Sequence, residues 1–139
     1  MRYGVKDYPL AEKHPEQVKG ARGKTLADIT LDAVLAGDVT IEDLRITPTA
    51  LDAQASVARS AGRPRLADNF ERAAELVNVP QDDVMRIYEL LRPGRAKTQQ
   101  ELLQAAHELR SIHGARRMAD FVAQAAEVYE TRGLFSKRF

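Results

Sequence analysis

The sequence predicts an all-α protein, a small irregular helical bundle of about five main helices preceded by an extended N-terminal arm. Apolar residues recur at helical spacing through much of the chain, and threonine or proline marks several helix starts. No stretch reads as a credible strand. A length of 139 residues suggests one domain. We therefore expect an arm over residues 1–25 and a helical domain over residues 26–139.

The arm contains glycines, prolines and scattered lysines without an apolar period, so it is either disordered or laid on a partner. Only residues 7–11 carry enough apolar character to dock. Tyr8, Pro9 and Leu10 are therefore candidate contacts with a partner subunit, since isolated apolar residues in a polar arm are suited to anchoring it. Local contact with the helices of the same chain is the alternative.

The first half of the helical domain is predicted to hold two short helices and two longer ones. Thr30 caps a helix to Ala36, and a turn over residues 40–44 is expected to bury Ile41 and Leu44. Thr47 and Pro48 open a helix to Ala61 whose apolar face is made of small side chains, which favours close packing against another helix. Arg63 and Pro64 precede an amphipathic helix over residues 66–77.

The second half is predicted to contain three helices. Pro80 ends the preceding helix and suits the start of the next, whose apolar face includes Val84, Ile87, Tyr88 and Leu91. Thr98 and Glu101 form a capping-box pattern before a helix to Gly114. The last helix, residues 115–131, presents an apolar face of Met118, Phe121, Val122, Ala125 and Tyr129. Near its start Arg116 and Arg117 oppose the helix dipole, so they are candidate contacts with partner carboxylates, with solvation as the alternative.

The residues give no catalytic, cofactor-binding or metal site. Gly23-Lys24-Thr25 matches the end of a phosphate-binding loop, but Val18 occupies the place of its first glycine. His107 and His113 are six residues apart and cannot share a metal on one helix face, and cysteine is absent. The absence of a long apolar run or a leader pattern predicts a soluble, cytoplasmic chain. The sequence thus reads as a helical interaction module, with an arginine-rich nucleic-acid-binding protein as the alternative.

Several strings make a family resemblance specific. They are D-Y-P-L-A at 7–11, G-K-T-L-A-D-I-T-L-D-A-V-L-A-G at 23–37, N-F-E-R-A-A-E-L at 69–76 and I-Y-E-L-L-R-P at 87–93. Together with D-L-R-I-T-P at 43–48 and Q-A-S-V-A-R-S-A-G-R at 54–63, they resemble in order, and without large gaps, the small (gamma) subunit of adenosylcobalamin-dependent diol and glycerol dehydratases. The resemblance covers most of the chain between Asp7 and Arg132. It implies a lyase that converts a 1,2-diol to an aldehyde and water by a radical mechanism.

The resemblance also implies an assembly of large, medium and small subunits, two of each, with adenosylcobalamin bound by the large and medium subunits. It further implies that the small subunit supports assembly and supplies no catalytic residue. Only six residues precede Asp7, whereas diol dehydratase members of this family often carry a longer extension associated with microcompartments. The choice between 1,2-propanediol and glycerol, and between free cytoplasm and a bacterial microcompartment, therefore stays open. The ending G-L-F-S-K-R-F departs from the family's usual polar tail and has no assigned role.

Overall fold

The computed structural model describes residues 2–135 and confirms the all-α class. Five main helices of 11 to 16 residues are present: α4 (Pro48–Ser60), α5 (Pro64–Leu76), α6 (Gln81–Leu91), α7 (Gln99–Ser111) and α8 (Arg116–Thr131). Three shorter helices precede them: α1 (Leu10–Lys13), α2 (Leu31–Leu35) and α3 (Ile41–Leu44). The chain divides into two compact units between Val77 and Asn78. The end of the basic C-terminal tail, residues 136–139, lies outside the described residues.

The first unit is built on the packing of α4 against α5. The Thr47 hydroxyl accepts a hydrogen bond from the Ala50 N–H at 3.1 Å, and Pro48 follows in the first turn, as predicted. Ala55, Ala58 and Ala67 form the buried contact, with Phe70 packed beside them. Because these side chains are small, the two helix backbones approach closely. The prediction of a small-residue face on this helix is confirmed.

Residues 2–25 have more local structure than a plain extended arm. They form 3-10 turns at Val5–Asp7 and Pro15–Gln17 around α1, followed by a single antiparallel bridge between Lys19 and Thr25. The Ser56 hydroxyl on α4 donates to the Tyr3 carbonyl oxygen at 2.6 Å. These residues therefore belong to the first unit, with α4 as one of their supports.

The second unit is built on α7 and α8. Leu102, Leu109 and Val122 are its largest fully buried side chains, and Ala119 and Ala126 are buried as well. The predicted capping box is present, since Glu101 N–H donates to the Thr98 hydroxyl at 3.3 Å and Glu101 Oε2 accepts from the Thr98 N–H at 2.9 Å.

Helix α6 is attached to the other two helices of its unit by polar contacts. Arg86 donates to Glu108 of α7 at 2.5 Å, and the Tyr129 hydroxyl of α8 donates to the Leu91 carbonyl oxygen at 2.5 Å. The pKa of Arg86 is raised, chiefly by its hydrogen bond to Glu108. Ile87 is the buried apolar residue of this helix, whereas Tyr88 is 56% exposed. The expectation that Tyr88 belongs to the apolar face is therefore wrong.

Candidate subunit interface

The predicted contact residues of the arm have different environments. Tyr8 is 56% exposed and Pro9 is half-buried, whereas Leu10 begins α1 and is only 8% exposed. Tyr8, Pro9 and Leu10 all line a cavity of about 280 Å³ between the arm and α4, together with residues such as Ala50 and Ala53. Leu10 thus makes the local contact that the sequence left as an alternative. Tyr8 retains enough free surface to meet a partner.

A polar network holds this part of the arm in shape. Asp7 Oδ2 accepts a hydrogen bond from the Gly4 N–H at 2.8 Å, and Asp7 Oδ1 lies 2.9 Å from His14 Nε2. The ring of His14 also stacks at a tilt on Tyr3, with 5.5 Å between centroids. The Gly4 hydrogen bond, and after it the one from His14, lowers the pKa of the Asp7 carboxyl. Tyr8 therefore lies on a turn whose shape is held by hydrogen bonds between residues before and after it.

Arg116 and Arg117 lie on the second unit, at the start of α8. Both are exposed, and the residue before them, Ala115, is an N-cap without a side-chain hydrogen bond. Their charges stand near the positive end of the helix dipole, as predicted from the sequence. This geometry suits an acidic partner surface, but it also suits solvent.

A larger exposed surface was missed by the sequence interpretation. Ile41 and Leu44, expected to be buried, are 67% and 60% exposed. They belong to a segment, residues 26–46, in which every other leucine and isoleucine but Ile29 is also exposed; the exposed set is Leu26, Leu31, Leu35, Ile41, Leu44 and Ile46. The signal was available, because helices of four or five residues have little surface to pack against a core. We call residues 26–46 the apolar segment.

Local hydrogen bonds define the shape of the apolar segment. The Thr30 hydroxyl caps α2 by accepting from the Ala33 N–H at 3.1 Å. Asp43 is buried at the other end, where its Oδ2 accepts from the Thr40 N–H at 2.8 Å and from Arg22 Nη1 at 2.9 Å. Gly20 lies directly over this site, because an added Cβ there would come within 2.6 Å of the Asp43 backbone oxygen. Asp43 thus joins the segment to the preceding loop, through its hydrogen bond with Arg22 and its contact with Gly20.

The histidines occupy separate sites. His14 pairs with Asp7, His107 lies near the Ser111 hydroxyl, and His113 Nε2 lies 3.6 Å from Asp83 Oδ2. Within residues 2–135, no three histidine, aspartate or glutamate side chains are placed to share a metal ion. Over the same residues, none of the helices combines the length and apolar character required to span a membrane.

Comparison with known proteins identifies the family. The family described as "Dehydratase small subunit" matches residues 3–136. The propanediol dehydratase small subunit of Salmonella typhimurium is 55% identical over 128 residues, which is 92% of this chain and 73% of that protein. The protein of the same name from Citrobacter freundii is 53% identical over 92% of this chain and 74% of its own length.

These matches confirm the resemblance that the sequence strings indicated, and they give no support to the alternative of a nucleic-acid-binding protein. A small subunit also implies larger partner subunits, which agrees with the exposed apolar side chains described above. The chain belongs to the dehydratase small-subunit family.

Proposed function

We propose that this chain is the small subunit of a propanediol dehydratase, a lyase that converts 1,2-propanediol to an aldehyde and water. The observation that carries the proposal is 55% identity to a propanediol dehydratase small subunit over 92% of the chain. In this role the chain contributes surface for assembly, while the reacting groups lie on its partners. The same proposal places it in the cytoplasm, with a bacterial microcompartment as the more specific location to be tested.

The cofactor of the proposed reaction is adenosylcobalamin, which supplies the radical chemistry when bound. The cavities among residues 2–135 do not fit it. Two cavities beside α4 measure about 280 and 390 Å³. They lie near the lower end of the range of about 300–1,000 Å³ for pockets that hold drug-sized ligands, which are themselves smaller than a cobalamin. We therefore assign the cofactor to the large and medium subunits, in an assembly with two copies of each subunit.

The arm and the start of α8 are proposed contacts with these partners. In the arm, Tyr8 is the proposed contact residue, because it is exposed on a turn held by hydrogen bonds, with Pro9 beside it. Leu10 is buried and supports that turn from within. Arg116 and Arg117 are proposed to meet carboxylates on a partner surface. Tyr8→Ala should weaken co-purification with the larger subunits while leaving the helical circular dichroism signal unchanged. Undiminished co-purification would remove Tyr8 from the interface.

Reconstitution tests the function directly. The matching large and medium subunits are mixed with adenosylcobalamin and either 1,2-propanediol or glycerol, and aldehyde formation is recorded with and without this chain. We expect activity that depends on the added chain and favours 1,2-propanediol, and no turnover by the chain alone. A preference for glycerol would correct the substrate. Activity indifferent to the chain, without co-migration on a sizing column, would contradict the proposal.

A further inference from the structure

We propose that the apolar segment, residues 26–46, is a docking surface for a larger dehydratase subunit, whose facing surface is apolar at its centre and rich in lysine or arginine at its edge. The proposal rests on the proposed function for the existence of that subunit. It goes beyond it by naming which surface of this chain is covered.

The first reason is the concentration of exposed apolar side chains. Leu31, Leu35, Ile41, Leu44 and Ile46 are each between 59% and 75% exposed within a run of sixteen residues. Single exposed leucines are ordinary on protein surfaces, but a concentrated apolar surface is characteristic of a binding site. The number and proximity of these residues therefore distinguish the segment from the isolated exposed side chains elsewhere, such as Ile112 on the second unit.

The second reason is how little of the segment is packed within its own unit. Its helices have four and five residues, too short to be stable in water by themselves. The extensive helix contacts of the described chain are α4 with α5 and α7 with α8, and they do not include α2 or α3. Val39 and Asp43 are the segment's buried residues. The segment is therefore shaped by its caps, and most of its large apolar side chains are left exposed.

The third reason is the negative charge of the segment, which determines what kind of protein can bind to it. The exposed residues Asp32, Asp38 and Glu42 lie among the apolar side chains, and Arg45 is the segment's lone basic residue, paired with Glu42 at 3.1 Å. A second copy of this chain, related by a twofold axis, would present the same acidic surface and be repelled. A different protein with basic residues around an apolar centre complements the segment in both respects.

The test compares two sets of matched substitutions in the full-length chain. Leu31→Ser, Leu35→Ser, Ile41→Ser and Leu44→Ser are combined in one variant, and Ile112→Ser and Met85→Ser are combined in a control variant with exposed apolar side chains on the second unit. Binding to the larger subunits is measured by titration and co-elution. We expect the first variant to bind at least about tenfold more weakly, as for loss of a hot spot, and the control to bind like the wild type.

Two further measurements separate the possible explanations. Hydrogen exchange should show residues 26–46 protected in the complex and not in the free chain, which distinguishes covering from local unfolding in the variant. Asp32→Lys with Asp38→Lys should slow association and weaken its salt dependence, because the complementary charges are removed.

The possible outcomes test the proposed function, the docking surface and the choice of occupant separately. Wild-type chain that fails to bind the larger subunits contradicts the proposed function. Wild-type binding with an unaffected serine variant, or with no protection of residues 26–46, leaves the proposed function intact and overturns the docking surface. A wild-type dimer that the serine substitutions convert to a monomer would overturn the choice of occupant.

Discussion

Asp43 is expected to determine whether the apolar segment keeps its shape, and Asp43→Ala tests this. The side chain is fully buried, and its Oδ2 atom accepts from both the Thr40 N–H and Arg22. Its Oδ1 atom has no hydrogen-bond partner among the described residues. Helix α3, which Asp43 helps to cap, has only four residues, so few other interactions hold that turn.

The magnitude follows from the two bonds. Removing a capping acceptor costs about 1 kcal/mol. The pair with Arg22 adds at most about 1 kcal/mol, because the Arg22 side chain is 47% exposed and its charge is screened by solvent. We therefore expect Asp43→Ala to lower the local free energy of opening by about 2 kcal/mol, which accelerates amide exchange in residues 40–46 by about thirtyfold.

Glu42→Ala is the matched control, because Glu42 is the adjacent acid on the same helix. Its partner is Arg45, and both side chains are more than half exposed, so the change should stay within about 0.5 kcal/mol. Arg22→Ala should fall between the two. Native-state hydrogen exchange at neutral pH measures all three variants. A Glu42→Ala effect equal to that of Asp43→Ala would refute the reasoning, because it would mean that net charge rather than buried capping holds the segment.

Three further changes test the packing and electrostatics of the two units. Ala67→Leu should lower the free energy of unfolding in urea by about 1–3 kcal/mol, because Ala67 is 0% exposed between α4 and α5, whereas the same change at exposed Ala50 should be nearly neutral. Leu109→Ala should cost about 2–5 kcal/mol in the second unit, and Leu103→Ala, at a partly exposed position of the same helix, clearly less. Glu101→Gln should lower the melting temperature at pH 7. The pKa of Glu101 is depressed below 4.5 by hydrogen bonds from the Lys97 and Thr98 N–H groups, so the wild-type advantage should disappear as pH falls from 4.5 through the lower folded pKa. Equal stability at buried and exposed positions, or a Glu101 effect independent of pH, would contradict these expectations.

The sequence predicted the main helices well because their boundaries are local. Thr47 with Pro48, and Thr98 with Glu101, set helix starts through hydrogen bonds and backbone restrictions that involve neighbouring residues only. The helix predicted over residues 66–77 is present as Pro64–Leu76. Such features can be recognised without knowing which other helix lies nearby.

The side chains that face the core were predicted less well because they depend on the packing partner. Helical spacing placed Phe121 on the apolar face of α8, yet Phe121 is 41% exposed, while Ala119 and Ala126 are completely buried. Close helix packing selects small residues at the contact, and hydrophobic size alone does not reveal them. Ile41 and Leu44 were also misassigned for lack of knowledge of the packing partner, because no helix among residues 2–135 packs extensively on theirs.

The proposed interface combines residues that the sequence suggested with a segment that it did not. Tyr8 was suggested because it is an apolar residue in a polar arm. The arginine pair was suggested because its positive charges lie at a helix start. The apolar segment gave one weak signal, the shortness of its helices, because its threonine caps and apolar turns otherwise resemble an ordinary piece of core. Its exposure is established only when the rest of the unit is in place.

A surface of this kind gives a physical reason for the acidic residues among its leucines. In the free chain, Asp32, Asp38 and Glu42 keep an apolar surface hydrated and repel other copies of the same surface. In the proposed assembly they would meet a complementary edge, and the apolar centre would be removed from water. The helices of the segment, which are too short to be stable in water by themselves, would then gain packing from the partner. Assembly and the final ordering of the segment would thus be one process, and this accounts for a well-capped segment that leaves its own apolar side uncovered.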